Sequence, residues 1–543
     1  MTRNWWIPGI ALVLLAWFGP LGSYALFNPD EGRYGEIPRE MVASGDWVTP
    51  RLDAIKYFEK PPLQYWATAV AFEAFGEHEW TTRLWAALTG AAGIALTFWL
   101  ARRVWGGRAG SLAAGVQAGS LLYASIGHLA TLDMSLSYAL QLSLGGLVLL
   151  VHEPDEPTAR RAGVALLALG VSAAFLTKGL IALLIPGSVA VLYMLLTRDW
   201  ALLWRSRPWW VLALLALLAG PWLYAVSVRN PEFLRFFFIR QQFQRFLTTV
   251  DDRYEGVWFF VPILLLGFLP WTTLLPRVLK EAWQEARAGA RVSLLLLLWV
   301  VFVFVFFSLS KSQLIPYLLP LLPALALLAG RTLSRTPALS VSRHLWLGSA
   351  LWLAIGAVAL VLPHLDSLAT RLEIGSGPAL PGMAGAFFGG SLLCAMGAWL
   401  AQRERKVAAV CSAALGTLVL VGGSLGFAQQ LPRMVRINTL IDQVRPELHA
   451  ATRLYCVNDY EQSIPFYLGR TCTLVGYRGE LDFGLQQEPE LWLANLTQFA
   501  QSWAQEPDAV AFLTPAAFRK LAVLGTPMRL IYTAPSIIAV AKQ

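Results

Sequence analysis

Charged side chains are scarce in this chain, so those set beside long apolar runs are the first candidates for chemistry. Asp30 and Glu31 follow directly on the first such run, in FNPDEGRYGEIPREMVASGDW. Adjacent carboxylates can serve a proton transfer or stabilise developing positive charge. Two acids in a first helical turn are also what the helix dipole favours, with Asn28 read as the N-cap and Pro29 as the first helical residue. Their position at the edge of hydrocarbon adds weight, because a charge there is expensive unless it works or is paired. Arg33 and Tyr34 lie one helical turn on.

The second half of the same segment, YFEKPPLQYWATAVAFEAFG, sets Glu59 and Lys60 before a double proline and a mostly apolar run. That run is too short to cross a bilayer and suits an interfacial or re-entrant helix, with Lys60 held near the phosphate level. A lysine that merely snorkels is the competing reading. Lys178 interrupts the apolar stretch from Ala162 to Leu196 at Thr177-Lys178-Gly179, which predicts a hairpin with Lys178 at a membrane face. Asp133 falls in the short turn LATLDMS. Glu59 and Asp133 could together hold a divalent cation, or each could pair with a lysine or arginine. Arg235, Arg240 and Arg245 alternate with phenylalanines after Asn230-Pro231-Glu232, a pattern that suits an acidic lipid head group or an amphipathic belt. Tyr317, near the turn at Lys311, is either a hydroxyl donor or part of an interfacial tyrosine belt.

The elements that must carry these residues follow from composition. In 543 residues, 56% are hydrophobic and 14% charged, against roughly 45 to 50% and 25% for a soluble chain. An integral membrane protein is implied, and the net charge of +9 is spread through short hydrophilic breaks, which excludes a nucleic-acid binder. About thirteen transmembrane helices are expected, the first a retained anchor beginning near Trp5 and the last ending near residue 428. Arginine and lysine collect in alternate short loops, from Arg102 and Arg103 to Arg403, Arg405 and Lys406. Those loops are therefore expected in the cytoplasm with the N-terminus.

Two long segments, 28–79 and 228–256, and everything after residue 428 are then expected outside. The chain divides into a polytopic α-helical membrane domain, residues 1–428, and a C-terminal soluble α/β domain, residues 429–543, with short strand-like runs such as Leu454 to Val457 and Ala509 to Leu513. Cys394 and Cys411 lie in apolar runs, whereas Cys456 and Cys472 fall in the outer domain, where a disulfide is expected.

The acid pair after the first run, YFEKPP, LDMS, FLTKGLIALLIP, NPEFLRFFFIRQQFQRF and SKSQLIPYLLP occur in that order. Together they resemble the bacterial 4-amino-4-deoxy-L-arabinose transferases that modify lipid A. More broadly, the chain is similar to the GT-C type membrane glycosyltransferases that use polyprenol-phosphate sugars. The resemblance covers roughly residues 5 to 330 and implies transfer of aminoarabinose from undecaprenyl phosphate to a lipid A phosphate, a modification that gives resistance to polymyxin and cationic antimicrobial peptides. It implies Asp30 as the catalytic carboxylate, with Glu31, Arg33 and Tyr34 positioning substrate. By their own position at the outer face, Lys60, Lys178, Arg245 and Tyr317 are expected at the donor phosphate, and Glu59 and Asp133 at any divalent cation, no cofactor being otherwise required. The resemblance further implies a monomer in the bacterial inner membrane, its C-terminal domain periplasmic. A relative that uses another sugar or a protein acceptor is the nearest alternative. A lipid-linked sugar flippase is more distant, since a flippase needs polar groups on both faces and here they cluster on one.

Overall fold

In a computed structural model, the described residues are 6–244, 255–364, 379–428, 431 and 436–543. Nine of the thirteen apolar runs form helices long and apolar enough to cross a membrane, from Glu79–Trp105 to Lys406–Ala428. The other four depart from full straight spans for local reasons. The first helix, Trp6–Phe18, passes into a 3-10 turn at Gly19–Gly22 that contains Pro20. The run near 108–127 is two helices, Gly107–Ala118 and Leu121–Gly127, separated at Gly119 and Ser120. Ile181–Thr197 is shorter than a full span. Between Phe260–Gly267 and Thr272–Arg287 the chain bends by 109° at Pro270, which lacks the N–H a continuous helix would need.

Helix packing here cannot draw on water exclusion as in a soluble core, so close contact and interhelical polar bonds hold the bundle. Gln141, on Leu132–His152, donates to the Gly93 carbonyl at 2.8 Å and to Thr97 at 2.7 Å, and accepts from Gln117 at 3.2 Å. That network fixes the helix whose first turn carries Asp133 against two neighbours. Pro157–Lys178 ends at Gly179, whose φ of 81° turns the chain into the next helix and leaves Lys178 at the turn, as its spacing predicts.

The first long loop is folded throughout. Helix Asp30–Ser44 stops at Gly45, in the left-handed region. A two-residue hairpin follows, β1 (Arg51–Leu52) paired antiparallel with β2 (Ile55–Lys56). After the double proline comes the expected short helix, Leu63–Phe75. Asn28 does not cap the helix: Pro29 occupies the cap position, and the Asn28 side chain instead accepts from the Gln462 backbone N–H at 2.8 Å.

Gln462 belongs to the C-terminal domain, whose sheet has the order β5-β4-β3-β6-β8-β7. These strands are β3 (Arg453–Val457), β4 (Thr473–Val475), β5 (Trp492–Leu493), β6 (Ala509–Leu513), β7 (Met528–Thr533) and β8 (Ile538–Lys542). Strands β5, β4, β3 and β6 run parallel, and β8 and β7 continue antiparallel. Central β3 and β6 are buried on both faces except at Arg453, which explains their unbroken apolar runs. The expected disulfide is absent: Cys456 and Cys472 are buried free thiols. Cys456 is in register with Leu474, two residues beyond Cys472, so the two residues are diagonal neighbours.

This domain sits directly on the first long loop. A Cβ on Gly32 would lie 2.5 Å from the Ser463 backbone nitrogen, so only glycine permits this approach. Arg51 forks onto Glu488 at 3.1 and 3.0 Å, the Leu26 N–H donates to the Tyr467 hydroxyl at 2.8 Å, and the Cys472 N–H donates to Asp53 at 2.6 Å.

Candidate functional site

Neighbouring residues Asp30 and Glu31 have opposite environments. A helix turns about 100° per residue, so the first-turn acids diverge: the Glu31 residue is 1% exposed, while the Asp30 side chain is 61% exposed. Glu31 receives the Arg83 guanidinium at 2.8 and 2.7 Å and the backbone N–H groups of Phe27 and Ala130 at 2.9 and 2.7 Å. Arg83 spends its remaining donors on the carbonyls of Leu21, Tyr24 and Ala25. The expected substrate-positioning role for Glu31 is thus corrected: its carboxylate is consumed in fastening the loop to the bundle.

Asp30 accepts from Arg33 at 3.1 Å. Arg33 does not reach outward to substrate as its sequence position suggests. Its side chain is 9% exposed and is held by Glu480 at 2.7 Å and by the Gln462 side-chain oxygen at 3.1 Å. Tyr34 is buried and stacks on Tyr65, ring centroids 5.8 Å apart. Burial pushes the Tyr34 phenol well up; Tyr65, Asp30 and Asp133 add to this and Arg33 opposes it. Tyr34 is therefore neutral, a buried wall within electrostatic reach of both Asp30 and Asp133. The fully buried Tyr65 hydroxyl has no hydrogen-bond partner among the described residues.

Beyond that wall, three residues singled out by sequence meet. Lys178 donates to Asp133 at 2.8 Å, and its Nζ stands 4.3 Å from the Tyr317 ring centroid. Lys60 lies 3.7 Å from the Glu59 carboxylate and donates to the Glu59 carbonyl at 3.1 Å. Both lysine side chains are 16% exposed. Burial pushes the phenols of Tyr57 and Tyr65 up, Arg33 opposes this and Glu59 adds to it, so the Lys60 turn and the Asp30 clamp share one electrostatic neighbourhood. Among the described residues no group of three or more His, Cys, Asp and Glu is placed to hold a metal ion.

The second long loop begins against the first. Glu232 pairs with Lys56 at 3.2 Å, Phe233 packs edge-on to Phe58, and Phe236 stacks on Phe483 of the C-terminal domain with centroids 3.9 Å apart. Arg240 lies over Phe236 at 5.6 Å. Arg245 falls outside the described residues. Sequence reasoning passed over Arg83, Glu480 and Gln462. Arg83 was readable as a charge inside an apolar helix, whereas Glu480 lies 447 residues from Arg33 in a segment of ordinary polarity.

Residues 440–542 match the family model of the aminoarabinose transferase C-terminal domain, and residues 10–237 match that of the dolichyl-phosphate-mannose-protein mannosyltransferases. An undecaprenyl phosphate-alpha-4-amino-4-deoxy-L-arabinose arabinosyl transferase of Aeromonas hydrophila is 32% identical over 82% of this chain and 79% of its own length. The chain belongs to the aminoarabinose transferase family. Transferase 1 of Pseudomonas fluorescens, of the same description, is 36% identical over 66% of this chain, an alignment spanning 63% of that relative's length. The crystal structure of ArnT from Cupriavidus metallidurans bound to undecaprenyl phosphate superimposes with a TM-score of 0.91 at 32% identity, covering 100% of this chain and 98% of that one. Membership places the chain among GT-C type multi-pass membrane proteins. The family assignment thus agrees with the fold class read from the sequence.

Proposed function

We propose that the chain transfers 4-amino-4-deoxy-L-arabinose from undecaprenyl phosphate to a lipid A phosphate. The observation that carries this reading is one exposed carboxylate, Asp30, on a loop packed against the C-terminal domain, together with two largely buried lysines, Lys60 and Lys178, each paired with a carboxylate. The printed names of the relatives and the undecaprenyl phosphate bound to the Cupriavidus metallidurans ArnT support the choice of donor. The arginine-rich loops support an orientation with the N-terminus cytoplasmic and the C-terminal domain periplasmic, in the inner membrane. The protein acts as a monomer in this reading.

The reaction is a displacement at the anomeric carbon. An oxygen of the acceptor phosphate forms the new bond to that carbon as the bond to the undecaprenyl phosphate oxygen breaks. The negative charge gathering on the leaving phosphate is stabilised by Lys60 and Lys178, with Arg245 and the Tyr317 hydroxyl as further donors. A phosphate monoester is already ionised near neutral pH, its second pKa being about 6, so a strong base is superfluous. Asp30 orients the acceptor, and its carboxylate either takes a residual proton or stabilises positive charge on the sugar ring and its ammonium group. Tyr34 excludes water beside it. Glu59 and Asp133 are the carboxylates that would hold a divalent cation, and a cation at Asp133 would displace Lys178.

Mass spectrometry of lipid A from cells with and without the protein tests the assignment. An added aminopentose only in its presence is expected; unchanged lipid A with donor supply intact would overturn the substrate.

A further inference from the structure

An exposed carboxylate three residues before an arginine on a helix ordinarily forms a loose pair that swings with both side chains. Arg33 cannot swing. Its Nε and Nη2 both donate to Glu480, at 3.1 and 2.7 Å, and Nε also donates to Gln462 at 3.1 Å. Gln462 in turn donates from its amide nitrogen to the same Glu480 carboxylate, which closes the triangle. The Tyr57 ring covers the guanidinium at 5.9 Å. The opposite edge faces Asp30, to which Nη1 donates at 3.1 Å. The fork is planar and rigid, so fixing one edge fixes the direction of the other.

We infer that Glu480 is a positioning residue for the transfer: through Arg33 the C-terminal domain sets the orientation of the Asp30 carboxylate. This rests on the reading above that Asp30 acts in the reaction, and it gives the domain a part in the chemistry. With Glu480 in place, Arg33 is held so that it meets Asp30 through one hydrogen bond, from Nη1 to Oδ1, which leaves the other carboxylate oxygen to substrate. Without it, the guanidinium is free to turn and take both Asp30 oxygens in a fork-to-fork pair, which removes the carboxylate from the acceptor. Gln462, held by its backbone to Asn28, keeps the triangle in register with the loop.

The test uses the full-length protein with purified donor and lipid A, at equal amounts of folded protein checked by thermal melting. Glu480→Gln should lower kcat about ten- to hundredfold, the scale of a misplaced reacting group, with KM for the donor within twofold of the parent. Glu480→Asp should recover part of the rate. Adding Glu480→Gln to Arg33→Gln should change kcat by less than twofold, because the effect travels through Arg33. Parental kcat for Glu480→Gln, or full multiplication of the two effects in the double variant, would overturn the inference. The Glu480→Asp comparison decides the matter if the double variant is too slow to measure: no recovery there counts against it. Asp30→Asn separates the two layers. Near-parental turnover by that variant removes the role of Asp30 and this inference with it, whereas collapsed turnover alongside an inert Glu480→Gln removes the inference alone.

Discussion

Arg83 grips both oxygens of Glu31 through the Nε and Nη2 edge of its guanidinium, at 2.8 and 2.7 Å, where both side chains are shut away from solvent. Breaking one partner of such a pair costs about 3 to 5 kcal/mol, because the other is left as an uncompensated charge. Glu31→Ala should therefore sharply lower folded yield and melting temperature. Asp30→Asn should leave both near the parent while abolishing transfer, since its carboxylate is exposed. Melting curves and transfer rates on the two purified variants check this contrast, and equal stability of both would contradict it.

Lys60 distinguishes a phosphate ligand from a membrane anchor. Lys60→Ala should reduce transfer about tenfold or more, the equivalent of a charge-assisted contact of roughly 1.5 to 3 kcal/mol. Lys60→Arg should also be impaired, because a planar fork replaces a compact point charge. Transfer by Lys60→Ala within twofold of the parent, at saturating donor and equal folded protein, would rule out the phosphate role.

Glu461 gives the C-terminal domain a pH dependence of defined sign. Burial pushes its carboxyl up to about 7; the Ser463 hydroxyl, donating at 2.9 Å, pulls it down, and Asp459 adds a smaller push up. A folded pKa above the unfolded one favours the folded state fully below the unfolded value, and that advantage is lost as pH rises through the folded value. The contribution should thus decline between about pH 4.5 and 7, by a few kcal/mol at about 1.4 kcal/mol per unit. Glu461→Gln should flatten that part of the melting profile and raise stability at pH 8. A parental profile in the variant would show that the carboxyl titrates normally.

The buried thiols Cys456 and Cys472 should resist alkylation in the native protein and react once it is denatured without reductant. Peptide mass mapping reads both states. A bridged 456–472 peptide under non-reducing conditions would contradict the free-thiol arrangement.

The architecture was legible in the sequence because hydrocarbon imposes a length and a polarity that composition reports directly. Among the described residues nine of the thirteen apolar runs are helices long and apolar enough to cross a membrane, and the remainder depart where proline, glycine or short length breaks a helix. Lys178, Asp133 and Tyr317 came together as isolated polar residues at helix ends must when the ends share a face. Glu31 was misread because adjacent acids look alike in a string and differ only once the helix is rotated against Arg83. Glu480 was invisible for another reason: an ordinary surface-type glutamate acquires meaning only when tertiary packing sets it on Arg33.

That packing also orders events in time. Arg33 is made 447 residues before Glu480, and at roughly 5 to 20 residues per second of synthesis the delay is about 20 to 90 s. Throughout that interval Arg33 has neither Gln462 nor Glu480 to hold it. The triangle around Arg33 is therefore completed only when the closing fifth of the polypeptide has been made, long after Asp30 and both lysines.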